Sequence, residues 1–314
     1  MMHSPLRYPG GKSDFLATAA HIFRSGGFEG TPVVEPYAGS AAVSLGLLDF
    51  GLTPHVTLLE RDPLLYAFWK CVFEKPSELI VRFQELDISV STWTEFQPLL
   101  KLDQPNRKNL LDMGVAGLFF NRANFSGILN GGPIGGKLQK SVYKIDCRTN
   151  KDDIIARILA LAMLAESVDV RFGDAVTLIN EKAKNPGYFF YLDPPYFNKG
   201  EMLYRHYYRL GQHKQLATAL TAADFSWLLS YDEHHVIEFL YEDFFVVKRP
   251  FRYSAYAPKN RNELLISNFP LAIDGAPPAK IDRRQRHWAP SRGEEICAPA
   301  GASATYGSTL RCRQ

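Results

Sequence analysis

The chain has 314 residues, 46% apolar and 13% aromatic, which excludes a disordered or collagen-like polymer and suffices for one large domain or a core with a smaller lobe. Its formal charge of +3 resides in one terminal stretch: residues 274–314 hold seven basic and four acidic side chains, and the remainder balances at 29 against 29. Net charge therefore argues neither for nor against a polyanionic partner, and any basic surface must come from local clustering. The longest apolar run, Ile158 to Ala165, falls far short of the roughly 20 residues that span a bilayer. The start, Met1-Met2-His3-Ser4-Pro5, has no apolar signal core, so a cytoplasmic protein without membrane partners is expected. Cysteines 71, 147, 297 and 312 form no C-x-x-C pair and the histidines are scattered, so reduced thiols and no metal site are expected.

In chain order, Leu6-Arg7-Tyr8-Pro9-Gly10-Gly11-Lys12-Ser13 invites a phosphate-loop reading, but that motif needs a glycine where Leu6 stands and a preceding strand, and has neither. A loop placing Lys12 near a sheet edge, able to hold a cofactor carboxylate, is the better expectation. Next, Val33-Val34-Glu35-Pro36-Tyr37-Ala38-Gly39-Ser40-Ala41-Ala42 reads as strand, tight turn of small residues, then helix, an arrangement that lets a nucleoside approach the backbone. The following strand, His55 to Leu59, leads into Glu60, where an acid can accept the protons of both ribose hydroxyls.

Apolar strand-like runs recur at Val168 to Phe172, Tyr188 to Leu192, Phe225 to Tyr231, Phe244 to Lys248 and Leu264 to Phe269. Helical patterns at Ala41 to Phe50, Leu64 to Phe73, Asp152 to Ala165 and Gln212 to Thr221 alternate with the strands, which predicts an α/β protein with a mainly parallel sheet covered on both faces. The alternation breaks between Glu74 and Asn150. There the helical stretches Ser77 to Leu86 and Lys108 to Phe120 lead into a glycine-rich segment, Gly127 to Gly136, and a second lobe is expected. From Asp274 onward Ile281, Ile296 and Leu310 are the only large aliphatics, which predicts a disordered tail over 274–314.

The most informative segment is Tyr188-Phe189-Phe190-Tyr191-Leu192-Asp193-Pro194-Pro195-Tyr196-Phe197, an apolar strand ending in a carboxylate, two prolines and an aromatic. Ligands of open α/β sheets bind beyond the carboxyl ends of strands. Two prolines stiffen the elbow, so that Asp193 and the Pro194 carbonyl offer two convergent acceptors suited to an exocyclic amine, with Tyr196 able to present a ring face to a planar base.

Together, Leu6 to Lys12, Glu35 to Ala41 and Asp193 to Tyr196 resemble, in that order, the motifs of the adenine-specific DNA methyltransferases of the Dam type. Asn121-Arg122-Ala123-Asn124-Phe125-Ser126-Gly127 is similar to that family's DNA-recognition hairpin, and Phe172-Gly173-Asp174, Ser230-Tyr231-Asp232 and Asn262-Glu263-Leu264-Leu265 extend the similarity over about residues 4–270. One position departs: Ala41 stands where the family has glycine, which is tolerable if that backbone is right-handed.

The resemblance implies a Rossmann-like, seven-stranded fold for S-adenosylmethionine-dependent methyl transfer. Residues 1–73 and 151–273 would form the catalytic domain and 74–150 an inserted, mostly helical DNA-recognition lobe. It implies methyl transfer to N6 of a flipped adenine in double-stranded DNA, with Asp193, Pro194 and Tyr196 catalytic. Tyr8, Lys12, Glu35, Tyr37, Gly39, Glu60, Asp174 and Asp193 would surround the cofactor, and Arg122, Asn124, Phe125, Ser126 and Lys137 would contact DNA. A monomer is expected, with a cognate restriction endonuclease as a partner the resemblance admits. The alternatives are an RNA adenine or DNA cytosine-N4 methyltransferase, or a catalytically inert DNA-binding relative.

Overall fold

A computed structural model describes residues 4–7, 12–198, 200–203, 205–252 and 260–272. Tyr8 and the expected tail over 274–314 lie outside them. Seven strands form one sheet: β1 (Val33–Glu35), β2 (Val56–Glu60), β3 (Val168–Phe172), β4 (Phe189–Leu192), β5 (Ser226–Asp232), β6 (Phe245–Arg252) and β7 (Asn260–Ser267). Their order is β3-β2-β1-β4-β5-β7-β6. Every pair from β3 across to β5 is parallel, while β7 runs antiparallel to both β5 and β6. This is the Rossmann-like α/β architecture expected of a methyltransferase. Pro250 lies in β6, the edge strand, where a residue without an N–H is best tolerated.

Successive strand residues point to opposite faces, and the two faces bury separate cores. Val33, Leu58, Phe189, Tyr191 and Leu228 face one core; Val34, Leu59, Phe190, Leu192 and Leu229 face the other. The first core is covered by α1 (Leu16–Ser25), α2 (Ala42–Asp49), α3 (Pro63–Glu74), α4 (Pro76–Glu85), α5 (Val90–Phe96), α6 (Leu110–Ala123) and α7 (Lys151–Ala162). Against the second lie α8 (Ala175–Lys182), α10 (Leu210–Thr221) and α11 (His235–Leu240), with the short α9 (Gly200–Leu203) preceding α10.

Helix α3 begins where Asp62 accepts the Leu64 and Leu65 N–H groups and Pro63 takes the first position, a strong start signal. It packs backbone to backbone on α6: a Cβ at Gly117 would lie 2.6 Å from the Leu64 carbonyl oxygen. Among the described residues no helix is long and apolar enough to cross a membrane.

Candidate active site

The chain runs from β1 to β2 and β3 on one side, then returns to β4 on the other, so a crevice opens between the carboxyl ends of β1 and β4. Glu35 closes β1 and Asp193 follows the last residue of β4, which brings the two expected acids to that crevice. Between β1 and α2 the chain turns sharply, with Gly39 at φ 46° and Ala41 at φ 50°. The right-handed backbone that would make alanine easily tolerated at position 41 is therefore not what the turn adopts. Ala41 sits at the helix N-cap with left-handed backbone, its methyl fully buried, because the chain must reverse within a few residues to enter α2.

This turn is fastened twice. The Gly39 N–H donates to Glu60 Oε2 at 3.1 Å, and the Trp69 indole N–H donates to the Gly39 carbonyl at 3.0 Å. Glu60 also accepts the N–H groups of Arg61 and Asp62, at 2.9 and 2.8 Å, through Oε1. Burial nevertheless pushes its carboxyl up to about 7. Glu35 accepts both the backbone N–H and the hydroxyl of Ser44 through Oε2, and burial, only partly offset by those bonds, raises it to about 8. Asp193 and Glu60 are close enough to add to that rise.

Asp193 lies at the centre of a polar cluster. Its Oδ1 is 3.0 Å from Lys12 Nζ and accepts the Ser230 hydroxyl at 2.8 Å. Lys12, almost fully buried, also reaches Tyr196 OH at 3.1 Å and Glu263 Oε1 at 3.3 Å, and Tyr196 donates to the same Glu263 oxygen at 2.8 Å. The Tyr196 ring is only 5% exposed, with Lys12 Nζ 5.4 Å from its centroid. A base that stacks there must displace part of its cover.

Beside this cluster lies a cleft of about 400 Å³ lined by Tyr37, Glu60, Asp174, Pro195, Arg205 and Tyr208, among others. Asp174 caps α8 through the Thr177 N–H at 3.0 Å. One wall is the segment 205–209: the Tyr37 and Tyr208 hydroxyls are 3.0 Å apart, and Arg205 forms a buried ion pair with Asp62 at 2.9 Å. The Arg205 guanidinium also donates to the carbonyls of Leu100 and Leu102. A concave site beside an open sheet end, with the raised carboxyl of Glu60 in its wall, fits a nucleoside-sized cofactor carrying ribose hydroxyls.

Sequence reasoning assigned no role to Ser230, Glu263 or Arg205. The signal for Ser230 was present, since it is a polar residue inside an apolar strand run, while Glu263 directly precedes one. Arg205 stands in a segment without periodicity.

The expected DNA-contacting residues divide. Asn124 is fully buried and committed to its own loop: its side chain accepts the Trp93 indole N–H at 2.7 Å and donates to the carbonyls of Ile128 and Leu129. Arg122 is buried, and desolvation followed by repulsion from Arg7 and Arg157 pushes its guanidinium down to about 10. Phe125 is 45% exposed, Ser126 has left-handed backbone at φ 56°, and exposed Lys137 lies 5.4 Å from the Trp93 ring centroid. These three sit near a loop closed by an antiparallel bridge between Asn124 and Pro133. The loop is joined to the amino-terminal segment by Asn121, whose amide accepts from the Arg7 N–H at 2.7 Å and donates to the Arg7 carbonyl at 2.6 Å.

Among solved structures, the Pyrococcus horikoshii protein PH1948 is similar at 11% identity and TM-score 0.39, over 86% of this chain and 87% of its own. The rRNA methyltransferase aviRa from Streptomyces viridochromogenes is similar at 14% identity and TM-score 0.33, over 80% and 83%. No curated protein matches the sequence. The sequence profile of the D12 class N6 adenine-specific DNA methyltransferases matches residues 8–254, a span that holds Lys12, Glu35, Glu60, the Asp193 elbow and the Phe125 loop, and the chain belongs to that family.

Proposed function

We propose that the cleft beside Glu60 binds S-adenosylmethionine and that Asp193 and the Pro194 carbonyl hold the N6 amine of an adenine flipped out of duplex DNA. The observation that carries this reading is the seating of Asp193. Lys12 and Ser230 both engage Oδ1, which leaves the lone pairs of Oδ2 to accept an N6–H. When bound, the cofactor supplies a methyl carbon made electrophilic by its sulfonium.

The amine lone pair of adenine is delocalised into the ring, so it attacks poorly until its N–H bonds are held and the nitrogen becomes tetrahedral. Asp193 accepts one N–H and the Pro194 carbonyl the other. As the N–C bond forms and the S–C bond breaks, positive charge develops on nitrogen beside the Asp193 carboxylate, and the surplus N6 proton is lost after attack. Catalysis is then mainly positioning and electrostatics. Glu60 would accept from the ribose hydroxyls, and Glu35 would face the cationic part of the cofactor. The segment 74–150 would carry DNA reading, with the Phe125 loop at its tip.

Incubation with labelled S-adenosylmethionine and mixed-sequence duplex DNA tests the reading. Label recovered as N6-methyladenine is expected; label in cytosine, or in RNA alone, overturns it.

A further inference from the structure

The elbow from Asp193 to Phe197 is held at both ends by one strand. Ser230 and Asp232 stand two positions apart on β5, so their side chains leave the same face. Ser230 holds the entry to the elbow through the Asp193 carboxylate at 2.8 Å. Asp232 holds its exit: Oδ1 accepts the Phe197 N–H at 2.8 Å and Oδ2 accepts the Asn198 N–H at 3.0 Å. Between these points lie Pro194 and Pro195, which have no N–H to donate, so the chain has to be caught outside them. The Phe197 ring adds a second hold at the exit, with centroid distances of 4.2 Å to His234 and 5.0 Å to His213.

We propose that Asp232 is a positioning residue for methyl transfer: by seating two consecutive N–H groups it fixes where the Asp193 carboxylate and the Pro194 carbonyl point, without itself touching substrate or cofactor. The inference rests on the reading that Asp193 holds the target amine. The carboxylate is chemically required, because each of its oxygens accepts one N–H. An amide of the same shape accepts one and sets its own NH₂ against the other. A displacement of about 1 Å at the reacting groups costs about 100-fold in rate. The elbow is stiff, so a shift at its exit is carried to its entry rather than absorbed.

The test is Asp232→Asn, assayed beside Asp193→Ala by steady-state methylation of duplex DNA, with rates normalised to titrated S-adenosylmethionine sites so that unfolded protein lowers the site count and not the rate. For Asp232→Asn the expected result is a kcat lowered about 10- to 100-fold, with the Kd for S-adenosylmethionine and the KM for DNA within about twofold of wild type. Wild-type kcat in Asp232→Asn, while Asp193→Ala is inactive, overturns the inference alone. Activity retained in Asp193→Ala overturns the reading beneath it. A loss that appears as weakened cofactor binding, or the failure of both Asp232→Asn and Asp232→Ala to yield any cofactor sites, assigns Asp232 to the cleft or the fold and overturns the positioning role.

Discussion

Lys12 and Asp193 meet at 3.0 Å, tying the loop before α1 to the tip of β4. Glu263, fully buried, shares the ammonium at 3.3 Å, so Lys12 supports the Asp193 anion without claiming it alone. Asp193→Ala is therefore expected to lower turnover by at least about 100-fold, because it removes the acceptor proposed for the reacting nitrogen. The melting temperature should stay close to wild type, since Glu263 and Tyr196 still receive the lysine. Methylation near the wild-type rate by folded Asp193→Ala would contradict the assignment.

Arg205 presents a sharper stability test. Its ion pair with Asp62 is about 93% buried on both sides, and its remaining donors serve two carbonyls of the segment 97–102. Arg205→Ala strands Asp62 as a buried charge, and a loss of about 3–5 kcal/mol in denaturant unfolding is expected. Affinity for S-adenosylmethionine should fall as well, because Arg205 belongs to the cleft wall. Arg205→Lys keeps the charge but not the planar fork, and its loss should be intermediate.

A pH dependence follows from Glu35 and Glu60. Both carboxyls are raised from 4.5, to about 8 and about 7 respectively, so the folded protein holds these protons more firmly than the unfolded chain. Their contribution to stability is fully present below pH 4.5 and is lost as pH rises through about 7 and 8. Unfolding of the cofactor-free protein followed from pH 5.5 to 8.5 should show this decline, and Glu35→Gln should flatten it. An equally steep decline in Glu35→Gln would place the titration elsewhere. A sulfonium near Glu35 favours the ionised carboxylate, so cofactor binding should release protons across the same window, which calorimetry in buffers of different ionisation enthalpy measures.

For Ala41 opposing effects nearly cancel. Relief of the left-handed backbone in Ala41→Gly is worth about 1–2 kcal/mol, against about 0.5–1 kcal/mol for the more flexible unfolded chain and about 0.8 kcal/mol for a lost buried methyl. Stability within about 1 kcal/mol of wild type is expected. Ala41→Val adds a β-branch where backbone and packing both forbid it and should cost about 3 kcal/mol or more. Equal stability of the two variants would show that the turn is not held left-handed.

The Phe125 loop separates DNA reading from chemistry. Phe125 is substantially exposed, so Phe125→Ala should weaken duplex binding or relax site preference while leaving S-adenosylmethionine affinity unchanged. Charge removal at Lys137 and at Lys140, an exposed lysine three positions further on, should mainly flatten the salt dependence. Arg122→Ala should in addition lower stability, because the side chain is buried. Unfolding of Phe125→Ala, or loss of cofactor affinity with DNA binding intact, would remove the loop from recognition.

Strands β1 to β5 were legible because each is a short apolar run ended by turn residues, whereas β6 and β7 extend beyond their apolar runs, to Arg252 and back to Asn260, through mostly polar residues held by the ladder. The acids at the tips of β1, β2 and β4 were legible because topology alone sends strand ends to the site. Helix α1 was missed although Leu16, Ala19, Ala20 and Phe23 show helical spacing, since no capping side chain marks its start. Helix α8 is too short for its period to stand out, yet Asp174 caps it as such residues do. The backbone sign of Ala41 was not legible, because an alanine code is silent about φ. Nor were the bonds Arg205 makes, which join segments about a hundred positions apart in the chain. Tertiary closure decides such contacts; local composition does not.

The indole of Trp69 lends the molecule an optical property. Fully buried in α3, it spends its one N–H on the carbonyl of Gly39, in the tight turn between β1 and α2. Indole emission responds to whether that proton is shared, and here its partner is a carbonyl in a turn only a few residues long. The protein thus contains a fluorophore wired to its own turn, and a ligand that shifted Gly39 would be read as a change of colour and intensity, with no label attached and no turnover required.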